Sequence, residues 1–99
     1  MSQVFKALSD STRREVLKLL RSGPLSAGEL ASHFDVSKPT MSVHFRVLRE
    51  AGLVDVERDG KLMIYSLRMS VLEEALMGFA QTFGMASRTD EPENEESEQ

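Results

Sequence analysis

Apolar positions along this chain recur at helical spacing, switch once to alternation, return to helical spacing, and then stop. Val4, Phe5 and Leu8 share one side of a short helical piece over residues 3–8. Asp10 stands where an N-cap belongs for a helix over 11–22, with Val16, Leu17 and Leu20 inward and Gly23-Pro24 as its stop. The run SAGE at 26–29 has the form of a capping box. Ser26 can accept from the Glu29 amide while the Glu29 carboxylate reaches back. The helix that it opens turns Leu30, Ala31 and Phe34 inward, and Asp35-Val36 makes the turn that follows. Ser37 caps the next helix, and Pro39 falls in its first turn, where a missing N–H leaves no bond unmade. Met41, Phe45 and Leu48 form the inner stripe of that helix, which closes at Gly52 before Leu53.

After Gly52 the period becomes two. Val54 and Val56 alternate with Asp55 and Glu57, and Asp59-Gly60 reads as a two-residue hairpin turn. Residues Lys61–Leu67 return as the second strand, which sets Arg58 and Lys61 opposite each other as two close cations at the tip. Ser70–Glu73, SVLE, reads as a second capping box opening a last helix to about Met85. Its stripe is Leu72, Leu76, Phe79 and Phe83, widened by Val71 and Ala75. Four helices, a hairpin and a helix, with a tight turn between the third and fourth helices, predict a mainly α fold with a two-stranded β wing: a winged helix-turn-helix. Residues 1–86 form that one domain, and residues 87–99 are expected to be a disordered tail.

Composition narrows the possibilities. The 99 residues suffice for one domain with a small core, so pairing with a second copy would help to bury apolar surface. The absence of cysteine excludes disulfides, thiolate metal sites and thiol redox switches. No apolar run approaches a membrane span and no signal peptide opens the chain, so no membrane insertion and a cytoplasmic location are expected. The net charge of −4 misleads, because it is unevenly spread. Residues 1–86 hold 11 Lys or Arg against 10 Asp or Glu, whereas residues 87–99 set Arg88 against six acids. The folded part is near neutral and the acidity is a tail, which could compete with DNA phosphate for a basic face.

The helix after Ser37 is the candidate DNA reader, because its outer side carries hydrogen-bonding and basic residues of the kind a major groove requires. Ser37, Lys38 and Thr40 would divide among capping, phosphate and base-edge contacts. Ser42 lies on the same exposed side. Val43 can neither donate nor accept, so against a base it would meet a thymine methyl. His44 follows Thr40 by four residues and is placed on that outer face, to read a base, touch a phosphate or bond within the domain. Arg46 and Arg49 can reach backbone phosphates or pair with acids such as Glu50. Arg58 and Lys61 would bring the wing to the minor groove or its phosphates. Arg13 and Arg14 open the second helix, where an internal pairing competes with a phosphate contact. His33 reads as a surface or capping residue. No Gly-rich phosphate loop or catalytic constellation is present, so neither an enzyme nor a cofactor is expected. A winged helix that binds protein and not DNA is the alternative, and the basic wing opposes it.

The runs VFKALSDSTRREVLKLL and SAGELASHFDVSKPTMSVHFRVLREAGLV, with the DG wing and YSL, resemble the ArsR-type winged-helix repressors over residues 3–83. The FKALSD and VSKPTMSVH phrasing is most similar to the SdpR-type autorepressor subgroup. The resemblance implies a homodimer joined through its first and last helices, which here would present Val4, Phe5, Leu8, Leu72, Leu76, Phe79 and Phe83. It also implies repression of the chain's own or a neighbouring promoter on double-stranded DNA, and it is compatible with a sequestering protein partner or an unidentified small ligand. One departure is informative. Metal-sensing members carry a Cys-x-Cys pair on the helix matching 26–34, or acidic and His ligands on the last helix. SAGELASHF has no Cys, the last helix has no His, and Glu73 and Glu74 alone supply no soft ligand, so no metal is expected.

Overall fold

The computed structural model describes residues 2–85. The acidic tail expected at 87–99 lies outside them. The elements in chain order are α1 (Ser2–Leu8), α2 (Ser11–Leu20), β1 (Leu25–Ser26), α3 (Ala27–Ala31), α4 (Lys38–Glu50), β2 (Val54–Asp59), β3 (Leu62–Leu67) and α5 (Met69–Thr82). The core gathers the stripes read from the sequence. Val16, Leu17 and Leu20 of α2, Leu30 of α3, and Met41, Phe45 and Leu48 of α4 are buried together with Leu53 and Val54.

The local signals around α3 and α4 act as their chemistry requires. Ser26 Oγ accepts from the Glu29 amide at 3.0 Å, and the Ser26 amide donates to Glu29 Oε1 at 2.9 Å. Ser37 Oγ accepts from the Thr40 amide at 3.3 Å, with Pro39 in the first turn of α4. The far end of α4 closes in a Schellman motif. The Leu53 amide donates to Leu48 O at 3.1 Å and the Gly52 amide to Arg49 O at 2.9 Å. Gly52 makes this possible with a φ of 76°, a left-handed conformation that a side chain would strain. Leu48 and Leu53, the two ends of the motif, are both fully buried, so the helix stop is also a core contact.

Several details differ from the sequence expectation. The sheet has three antiparallel strands in the order β1-β3-β2, because Leu25 pairs with Tyr65 and Ser26 with Ile64 beside the two-stranded wing. The hairpin turn is Gly60-Lys61 and not Asp59-Gly60. Asp59 pairs with Leu62 and Arg58 with Met63, so Lys61 sits in the turn and Arg58 faces an apolar residue. Gly60, with a φ of 64°, takes the first turn position, and Val56 then lies opposite Tyr65 on the core side. Asp10 occupies the N-cap position of α2, yet its side chain makes no cap hydrogen bond, and α2 ends at Leu20, short of residue 22. Lastly, Ser70–Glu73 is no capping box. Helix α5 starts at Met69 directly from the strand, with Arg68 in the cap position and its amide donating to Leu53 O at 2.9 Å. Helix α5 stops at Thr82, and the Met85 amide closes on Ala80 O.

Candidate nucleic-acid interface

The geometry of α4 follows from its inner stripe. With Met41, Phe45 and Leu48 facing the core, a 100° step per residue turns Val43 and Arg46 outward. Ser42 and Lys38 fall on one flank, and Thr40 and His44 on the other. Lys38, Thr40, Ser42, Val43 and Arg46 are all exposed, Val43 at 42 %. Ser37 is exposed but committed to the helix start, where its hydroxyl also donates to Thr40 Oγ1 at 3.0 Å. Thr40 therefore accepts from within and keeps its own O–H to donate outward. At the wing, Arg58 and Lys61 are both exposed, and Arg58 Nε donates to Gly60 O at 3.2 Å across the tip.

His44 departs from the outward placement expected of it. Its side chain is 14 % exposed, and its Nδ1 lies 3.4 Å from Asp10 Oδ2. The same Nδ1 lies 3.2 Å from Arg13 Nη1. Arginine only donates, so in that contact Nδ1 accepts and the ring proton sits on Nε2. Asp10 Oδ2 is then buried without a hydrogen bond, and only a proton on Nδ1 would satisfy it. The remaining donors of Arg13 close the end of α1. Nε donates to Ala7 O at 2.8 Å and Nη2 to Lys6 O at 3.0 Å, while Arg14 Nη1 donates to Leu8 O at 2.8 Å. These carbonyls lie in the last turn of α1, which has no further turn to bond them, and Lys6 O also accepts from the Ser9 amide and hydroxyl. Both arginines thus bond inside the domain, and His44 joins α4 to the junction of α1 and α2. Spacing on α4 alone could not show this, because the partners come from an element more than 30 residues upstream.

One cleft escaped the reading of the sequence. Between α4 and β3 lies a space of about 270 Å³ lined by Ser42, Phe45, Arg46, Arg49 and Tyr65. The Tyr65 ring is buried against Phe45, with ring centres 4.9 Å apart. Burial raises the Tyr65 pKa, and the Arg49 cation opposes the rise, so the phenol stays protonated at neutral pH.

The residues expected at a dimer interface separate into two groups. Val4 is buried in the domain's own core, and Phe5, Leu8 and Leu72 pack partly against it. Leu76, Phe79 and Phe83 stand out at 47, 45 and 63 % exposure. Phe79 is the middle of an aromatic row, 5.3 Å from Phe5 and 5.0 Å from Phe83. Among the described residues, no group of three or more His, Asp or Glu is placed to hold a metal ion, and no helix is long and apolar enough to cross a membrane.

Known proteins share this arrangement. A helix-turn-helix domain family matches residues 8–57. The transcriptional repressor SdpR of Bacillus subtilis (strain 168) is 43 % identical over 76 residues, covering 77 % of this chain and 84 % of that protein. An arsenical resistance operon repressor of Staphylococcus aureus is 40 % identical, covering 77 % and 73 %. Among solved structures, an ArsR-like transcriptional regulator from Rhodococcus sp. RHA1 superposes with a TM-score of 0.74 at 30 % identity, covering 89 % of this chain and 83 % of that one. The transcriptional repressor BigR from Xylella fastidiosa does so with a TM-score of 0.64 at 32 % identity, covering 79 % and 83 %.

Proposed function

The chain belongs to the ArsR-type winged helix-turn-helix family of DNA-binding transcriptional repressors, and we propose that it acts as a cytoplasmic homodimer on an imperfectly palindromic operator. Two α4 helices related by a two-fold axis would enter successive major grooves, about 34–36 Å apart. The observation that carries this reading is the outer face of α4, where Lys38, Thr40, Ser42, Val43 and Arg46 are exposed together. The wing cations Arg58 and Lys61 support it. The exposed row of Leu76, Phe79 and Phe83 supports the dimer, since apolar surface of this kind calls for a covering partner.

The test is a binding titration of the full chain against a duplex from upstream of its own gene and a scrambled duplex, over a series of salt concentrations. Preference for the upstream duplex and a steep fall in affinity with salt are expected. Equal, weak binding to both would remove specific autoregulation. Within that titration, Arg58→Ala should weaken every duplex alike and lower the salt slope by about one. Unchanged affinity and slope would take the wing out of the interface. Val43→Ala should instead lower affinity by about fivefold at one base-pair position, where a thymine methyl is lost as a partner. Footprints of the two proteins that agree at every position would dismiss Val43 as a reader.

A further inference from the structure

We propose that the cleft between α4 and β3 is a seat for a phosphate group, held by Ser42, Arg46, Arg49 and Tyr65. As a DNA phosphate site it rests on the DNA-binding reading, extends it to Tyr65, and gives Arg49, which the sequence puts within reach of a phosphate, a defined place.

The lining is made of donors. Two arginines one helical turn apart line it with Ser42 and Tyr65, no acid does, and Phe45 supplies an apolar wall. Among the described residues, the carboxylates within 4 Å of a basic side chain are Asp10 beside His44 and Asp55 beside Arg68, so Arg46 and Arg49 pair with no carboxylate. Such a donor set has one natural occupant, an oxyanion with several acceptor atoms. Tyr65 is the less expected member. Only 8 % of the residue is exposed, its ring is fixed on Phe45, and among the described residues its hydroxyl makes no hydrogen bond. A buried ring whose phenol feels the Arg49 cation at the wall of a cationic cleft is a pre-set donor. The phenol keeps its proton at neutral pH, which a phosphate oxygen needs. The register of β3 places it there, because Tyr65 is held between Leu25 of β1 and Val56 of β2. The occupant is either a backbone phosphate or a free phosphate.

Tyr65 is the only tyrosine, so a single 13Cζ-tyrosine resonance reports on the site in the full chain. It is followed on adding a random-sequence duplex at low salt, and separately on adding inorganic phosphate. A phosphate seat does not read bases, so no operator is needed. The resonance is expected to move with the duplex. Arg49→Gln should weaken duplex binding by about fivefold to tenfold and lower the salt slope by about one. Tyr65→Phe keeps the ring on Phe45 and should weaken binding about threefold with the slope unchanged, since it removes a neutral donor. A resonance that moves with inorganic phosphate and not with bound duplex supports the seat and assigns it to a free anion. If no duplex binds but phosphate still moves the resonance, the repressor reading fails and the cleft stands. A resonance indifferent to both, with Arg49→Gln binding duplex like the parent, overturns the proposal.

Discussion

Replacing Phe79 with glutamate is expected to yield a folded monomer that no longer holds an operator. Phe79 is 45 % exposed in the single chain, so the substitution removes little from the domain's own core. In α5 only Ala75 is buried. Across a two-fold axis the change counts twice. Two apolar rings worth roughly 1.5–3 kcal/mol each when covered are lost, and two carboxylates must be desolvated in their place. Dimer affinity should fall by about 100-fold or more. Sedimentation velocity would follow the association state and far-UV circular dichroism the fold. Operator binding should fall with the dimer, because one half-site alone offers half the phosphate contacts. A variant that sediments as the parent does, at concentrations where the parent is dimeric, would show that the aromatic row is covered by something else.

Leu48→Ala is expected to be the most damaging single truncation on α4, lowering stability by about 2–5 kcal/mol. Domains of this kind have roughly 5–15 kcal/mol in total, so a large fraction of the protein could unfold at physiological temperature. Leu48 is fully buried, and its carbonyl accepts the Leu53 amide in the Schellman turn. Its loss opens a cavity and weakens the device that stops the recognition helix and aims the chain into β2. A urea titration would show the midpoint falling with the slope unchanged. A midpoint within error of the parent would mean that the neighbouring side chains close the gap. Val43→Ala, on the opposite face, should stay within about 0.5 kcal/mol of the parent in the same titration.

The sequence made legible what short-range chemistry controls. The Ser26–Glu29 box and the Ser37 cap engage partners three residues away, and the Met41, Phe45, Leu48 stripe is a property of one helix. The features that escaped depend on distant partners. A two-residue strand such as Leu25–Ser26 has no period to detect and exists only because β3 offers an edge. The hairpin register is set by Val56 and Tyr65 meeting over the core, which moved the turn one residue past the Asp-Gly pair. Ser70–Glu73 has a capping box's letters, but the backbone bond from Arg68 to Leu53 O starts α5 earlier. His44 shows the same limit at the candidate site. Its place four residues after Thr40 suggests the outer face, and Asp10 and Arg13 from upstream draw it in. Tyr65 gave no signal as a functional residue, because a tyrosine on a strand reads first as core.

The guanidinium of Arg13 spans two elements with separate duties. Through Ala7 O and Lys6 O it grips the end of α1, and through His44 it touches the middle of the recognition helix. A planar, five-donor group cannot turn toward one partner without leaving the other. If α1 helps to join two copies, the docking of the copies and the pitch of α4 are strained or relaxed together. Linkage then makes the connection symmetric: whatever factor DNA contributes to holding the pair together, the pair returns in its hold on DNA.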